Sequence, residues 1–151
     1  MIFLRILLGI LKGGIIGGGL GAALWAIDPN ATTFSGLRWV LYGVVGFLTG
    51  VVAGKPPWAP NAAWVATILK AVVGFGVCVG LYFLSAYLMG MTGFQVYGRE
   101  PTLWYFAFGG ALGILYGVWV EIDDGGKADD PKKKQLPAKE QSPALPGKKK
   151  D

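Results

Sequence analysis

The sequence predicts an all-α membrane protein of four transmembrane helices, arranged as two tandem glycine-ridge helical hairpins and followed by a disordered C-terminal tail. Three observations carry that prediction. First, the chain of 151 residues is 53% apolar with 25 glycines, and its apolar residues come in runs instead of alternating with polar ones as in a soluble domain. Second, the charges ahead of the tail are confined to Arg5, Lys12, Asp28, Arg38, Lys55, Lys70, Arg99 and Glu100, leaving uncharged stretches of membrane-spanning length. Third, glycine recurs every four residues in Gly46, Gly50 and Gly54 behind Tyr42, and again in Gly109, Gly113 and Gly117 behind Tyr105. On a helix such residues form one ridge. A ridge without side chains lets another backbone approach closely, which is how helices associate where burial of apolar surface supplies no drive.

The two ridges lie 63 positions apart, and the same offset maps Gly13 onto Gly76, Gly17 onto Gly80 and Ala23 onto Ala86. These matches predict two copies of a helical hairpin. The membrane domain is placed at residues 1–122 and the charged tail at 123–151.

The first span, 6–27, covers about 33 Å at 1.5 Å per residue, enough for the hydrocarbon core. It ends at Asp28-Pro29-Asn30, a turn signal whose proline cannot continue a helix. A signal peptide is the weaker reading, because Lys12 interrupts the apolar stretch and the AALWA segment is a poor cleavage site. Gly9, Gly13, Gly17 and Gly21 form one ridge of this span, while Gly14, Gly18 and Gly19 open other faces, so contact with more than one neighbour is expected. Gly17-Gly18-Gly19 reads as close packing ahead of a functional break in the helix.

The second span, 39–54, is short for a bilayer at roughly 24 Å. It reaches across if Arg38 snorkels outward or the bilayer thins. Lys55 to Asn61 is a proline-rich loop with Trp58 at headgroup level and Asn61 placed to cap the next helix. The third span, 64–91, is longer than needed and should tilt. The fourth, 103–120, carries no charge and is bracketed by Trp104 and Trp119, as an aromatic belt requires. From Glu121 the chain holds four prolines, eight lysines, seven acids and no aromatic residue. Such a segment cannot bury a core. Its lysines form a possible contact for anionic lipid, although the acids lie between them and the membrane.

Positive charge predicts topology. Arg5, Lys12, Lys55, Lys70 and the tail lysines share one side, whereas Arg38 and Arg99 on the other are each accompanied by an acid, Asp28 or Glu100. Both termini are therefore expected to be cytoplasmic, in the plasma (inner) membrane, with the repeat axis along the membrane normal.

Little chemistry is legible. There is no histidine, which removes the commonest metal ligand and general base together. The lone Cys78 forms no intramolecular disulfide and reads as a packing residue. No catalytic, cofactor-binding or metal residue is assigned, and no enzyme activity is expected. The helix-packing candidates are Gly9, Gly13, Gly17, Gly21, Gly46, Gly50, Gly54, Gly109, Gly113 and Gly117. Lys12 and Lys70 are the ionisable residues within spans; each can snorkel to the headgroups or line a vestibule that contacts anions. The absence of an intramembrane carboxylate weighs against proton-coupled transport. Asn30-Ala31-Thr32 is a glycosylation triplet on the outer loop.

The chain resembles the four-span multidrug exporters in size and span count alone, since it lacks a first-helix glutamate. It is similar to fluoride channels in its Gly-rich first helix and in the string Thr32-Thr33-Phe34-Ser35. That string lies in the first loop rather than the third span, however, and the second span has no asparagine. With phage holins it shares small size, glycine-bearing spans and a basic tail. No family is assigned on these grounds. The leading expectation is a structural or accessory membrane component, with an oligomeric channel or holin-like pore and a small-solute transporter as alternatives. The partners expected are the lipid bilayer and either further copies of the chain or another membrane protein, and no nucleic acid.

Overall fold

A computed structural model describes residues 2–53 and 64–128. They form four α-helices: α1 (Ile2–Ile27), α2 (Arg38–Val52), α3 (Trp64–Thr92) and α4 (Tyr105–Ala128), the last preceded by a 3-10 turn at Pro101–Leu103. Among the described residues there is no strand, only an isolated bridge between Val96 and Arg99. Gly54, Lys55 and the rest of the α2–α3 connection, and the tail from Asp129 onward, lie outside the described residues.

α1, α3 and α4 are each long and apolar enough to cross a membrane, whereas α2 is a shorter apolar helix of 15 residues. α1 ends where Asp28-Pro29 was expected to end it. α2 stops at Val52, because Ala53 turns extended (φ −72°, ψ 143°) while its N–H still donates to the Thr49 carbonyl. In the α3–α4 connection, Tyr97 (φ 51°) and Gly98 (φ 74°) occupy the centre of a tight turn. Val96 and Arg99 exchange both backbone hydrogen bonds across it, at 2.8 and 3.2 Å, the arrangement of a two-residue hairpin turn with positive φ at both central positions.

α4 departs most from expectation. It was to end at Val120, with the tail beginning at 123, yet the helix continues to Ala128. The acids that end its apolar stretch do not end the helix, because two of them meet lysines of neighbouring helices and hold the additional turns in place.

The tight pairs are α1 with α4 and α2 with α3, both antiparallel, while α2 and α4 meet in the middle of the bundle. Chain neighbours α1 and α2, and likewise α3 and α4, touch much less. The two halves of the sequence are thus not self-contained hairpins; each long seam joins a helix of one half to a helix of the other. The 63-residue correspondence fares unevenly. Gly46 and Gly109, and Gly50 and Gly113, all lie at seams. Gly13 and Gly17 are buried against α4, whereas their counterparts Gly76 and Gly80 face open space. The likeness is therefore a property of α2 and α4, and α1 and α3 do not share it.

The outward faces are apolar. Leu7, Leu11 and Ile15 of α1 and Leu69, Val72, Leu84 and Leu88 of α3 are all exposed. A surface of this kind is far more apolar than a soluble monomer presents, and it suits contact with lipid.

Candidate functional site

Three structural zones hold the residues of interest: two glycine seams, a polar and aromatic cap at the end where α1 meets α2, and a pair of ion pairs at the opposite end.

The buried residues of α1 are Gly9, Gly13, Gly17 and Gly21. They face, in antiparallel order, the α4 backbone at Gly117, Gly113, Gly109 and Tyr105. A β-carbon at Gly117 would lie 2.6 Å from the Gly9 carbonyl oxygen, and one at Gly109 would lie 2.8 Å from that of Gly17. Gly13 and Gly113 each sit against the other's carbonyl so closely that neither could carry a side chain without moving the opposite helix. The second seam follows the same logic with larger partners. Gly46 meets Gly74 and Cys78, and Gly50 meets the backbone of Lys70 and Ala71, where a β-carbon would lie 2.7 Å from the Lys70 carbonyl oxygen. Gly18 and Gly19 have no such neighbour. α1 is continuous through them, and the helix does touch more than one neighbour, α4 closely and α2 more lightly.

At the capped end Asp28 is 3% exposed. Its carboxylate accepts from the backbone N–H groups of Thr32 at 3.1 Å and Phe34 at 3.3 Å, and lies 3.4 Å from the Tyr105 hydroxyl, which donates to it. One short polar side chain thereby folds the α1–α2 loop back and ties it to α4. The Tyr42 hydroxyl donates to the Thr102 carbonyl at 2.6 Å, joining α2 to the turn before α4. Arg38 donates to the Ala31 carbonyl at 3.1 Å and Arg99 to that of Pro29 at 3.0 Å, so both arginines of this end serve the same loop. Trp25 stacks on Trp104 with centroids 5.3 Å apart, and the Arg99 guanidinium lies 5.7 Å from the Trp25 ring centre, within cation–π range.

Burial pushes the Asp28 carboxyl towards higher pKa, but the amides of Thr32, Phe34 and Thr33 and the Thr33 hydroxyl outweigh it and hold the group below its ordinary 3.8. The folded protein therefore binds this proton more weakly than the unfolded chain. The stability Asp28 contributes is complete above pH 3.8 and is lost as pH falls through the lower folded value. Unfolding measured in detergent from pH 7 down to 3 should show a steeper acid loss for the parent protein than for Asp28→Asn, which starts less stable. Parallel acid limbs would assign the loss to other carboxylates.

At the far end Lys12 Nζ lies 2.7 Å from Glu121 Oε1, and Lys70 pairs with Asp124. The Tyr116 hydroxyl donates to the Lys70 carbonyl. The two lysines expected to reach headgroups or an anion vestibule are instead each engaged by an acid of α4. Glu121 is 7% exposed, and a pair held at a bundle end in this way is screened less than a surface pair. Among the described residues, Arg38 Nε, Thr49 Oγ1 and Asp124 Oδ2 are buried side-chain polar atoms without a hydrogen-bond partner.

Glu121, Asp124 and Thr102 were not anticipated as structural partners. The signal was present for Glu121, which follows the ridge glycine Gly117 by four residues and so shares its face. Asp28 and the three buried tyrosines, 42, 105 and 116, were visible only as a turn residue and as polar groups of undetermined use. Compared with known protein families, curated proteins and solved structures, the chain matches none.

Proposed function

We propose that the chain is a small polytopic protein of the plasma (inner) membrane, with four transmembrane helices and both termini cytoplasmic, serving as a structural or accessory component and not as an enzyme. The observation that carries this reading is an apolar exterior around closely packed seams. Apolar side chains cover the outward faces, while the helices meet inside largely through glycine backbone, with buried tyrosines and small apolar side chains between them. Helices that associate through small residues behave this way in lipid, and we read the seams as a glycine zipper.

α2, at about 22 Å, would cross with its Arg38 end drawn to the interface beside the α1–α2 loop, or with local thinning of the bilayer. The lack of histidine and the engagement of Lys12 and Lys70 by acids support a non-catalytic role without an anion vestibule. The open glycines of α1 and α3, Gly18, Gly19, Gly76 and Gly80, leave room for a further copy or another membrane protein to approach.

Lys12 and Lys70 lie at the same end as Glu121 and Asp124, and Arg38 and Arg99 gather at the other. The lysine end is the cytoplasmic one by the positive-inside rule. Reporter fusions after Asn30, Lys55, Thr92 and Gly126 should read outside, inside, outside, inside. A Lys55 fusion that reads outside would show that α2 lies in or on the membrane without crossing it.

A further inference from the structure

We propose that the bundle is a clamp in which the pairs α1 with α4 and α2 with α3 are two rigid arms, hinged at the arginine end and able to part between α3 and α4 at the lysine end. The arms are rigid because each is joined along a seam of backbone against backbone, Gly13 on Gly113 in one and Gly46 on Gly74 in the other. No rotamer can repack there to let the helices slide. Between the arms the contact is lighter. α1 with α2 and α3 with α4 touch much less than the paired helices do, and α2 meets α4 through side chains such as Tyr42 and Phe108. Bodies that are tightly packed within and lightly packed against each other move by rotation about the few residues that join them.

Chain topology puts the hinge at one end. Both crossings of the chain from arm to arm, 28–37 and 93–104, lie at the arginine end, where Arg99 of the second donates to the Pro29 carbonyl of the first at 3.0 Å. Tyr42 of α2 donates to the Thr102 carbonyl of the second crossing at 2.6 Å. At the lysine end the α2–α3 connection stays within one arm. There α4 holds α3 through Lys70, whose ammonium pairs with Asp124 and whose carbonyl accepts from the Tyr116 hydroxyl.

This latch is incompletely made. The other Asp124 oxygen, Oδ2, is buried without a hydrogen bond, a cost of the closed state that parting of the arms relieves by admitting water. Beside it a groove of about 240 Å³ already separates Leu69 and Val73 of α3 from Tyr116 and Val120 of α4. α3 can therefore swing outward without dismantling a packed interface. The device stands whichever side of a membrane the lysine end faces.

The test places pairs of spin labels on the full chain in detergent micelles, with Cys78→Ala removing the native thiol, and reads distances by double electron–electron resonance. Leu69→Cys with Ile122→Cys spans the latch, Leu7→Cys with Ile122→Cys stays within one arm, and Leu88→Cys with Ala107→Cys spans the hinge end. All five positions are exposed. With the latch intact, each pair should give one dominant distance. Asp124→Asn should add a longer distance across the latch, raising its share relative to the short one by about fivefold, the upper scale of a part-exposed ion pair, and leave the other two pairs unchanged. Lys70→Gln should do the same, and the exchange of Lys70→Asp with Asp124→Lys should restore the short distance. Each variant is first matched to the parent by circular dichroism, and those that match decide. An unchanged latch distance in either single variant overturns the proposal. Equal lengthening of all three pairs, or an exchange that stays open, would assign the change to loosened packing and overturns it as well.

Discussion

Gly13→Ala and Gly17→Ala are expected to cost about 2 kcal/mol or more each, and leucine at either position to separate α1 from α4. The usual ordering, in which alanine is a mild replacement for glycine, fails here for a geometric reason. The first side-chain carbon at Gly13 already falls on the carbonyl of Gly113, and at Gly17 on that of Gly109. Backbone cannot rotate aside as a flexible side chain would, so a single methyl must push the helices apart along the whole seam. Helix propensity acts in the opposite direction, favouring alanine over glycine by about 1 kcal/mol.

The same substitution should therefore be neutral or slightly stabilising at Gly18 and Gly76, where no atom lies within reach. Leu115→Ala, at a position 60% exposed, should also do little. Unfolding titrations in mixed detergent micelles, followed by circular dichroism, read all of these on one scale. Gly13→Ala as stable as Gly18→Ala would show that α1 and α4 are not in this register.

The contrast between Gly13 and Gly76 also shows what periodicity conveys and what it omits. Four-residue spacing reveals that glycines share a face, and all four ridge glycines of α1 do share the buried one. Spacing does not reveal which helix that face meets. Gly74, which does sit at a seam, lies outside the 63-residue correspondence, while Gly76 and Gly80, which belong to it, are open. The four apolar helices, three of them long enough to cross a membrane, are legible because long uncharged apolar runs are a one-dimensional signal. The pairing of α1 with α4 is not, since it depends on contacts between residues about a hundred positions apart.

Charge is only partly legible for a related reason. Taken alone, a lysine within a span shows its cost in lipid, and an acid beyond the last apolar residue shows its solubility. The ion pair of Lys12 with Glu121 appears only when both helices are placed side by side. The cap was half legible: Asp28 before proline announced a turn, but its bond from Tyr105 spans 77 positions, and nothing local marks that tyrosine as its donor.

Tyr42→Ala is expected to destabilise the bundle by about 3 kcal/mol or more, the scale of deleting a large buried aromatic side chain. Tyr42 is 1% exposed. Its ring lies 5.3 Å from Tyr82 of α3 and 4.9 and 6.4 Å from Phe108 and Tyr105 of α4. It is therefore a side chain through which α2 touches both α3 and α4. The glycine seams cannot replace this contact, because they join α1 to α4 and α2 to α3 and leave the two pairs to be held together by side chains across the centre.

Tyr42→Phe keeps the ring and removes only the hydroxyl that donates to Thr102, so its cost should be about 1 kcal/mol. Tyr87→Ala, at a tyrosine 66% exposed on the outward face of α3, is the reference for losing an aromatic ring without losing a packing contact, and should be close to silent. The same titration ranks the three. If Tyr42→Ala unfolded no more easily than Tyr87→Ala, the two helix pairs would not be meeting at this side chain, and the centre of the bundle would have to be assigned elsewhere. If Tyr42→Phe matched Tyr42→Ala, the hydrogen bond to the turn before α4, and not the aromatic contact, would be what holds the pairs together.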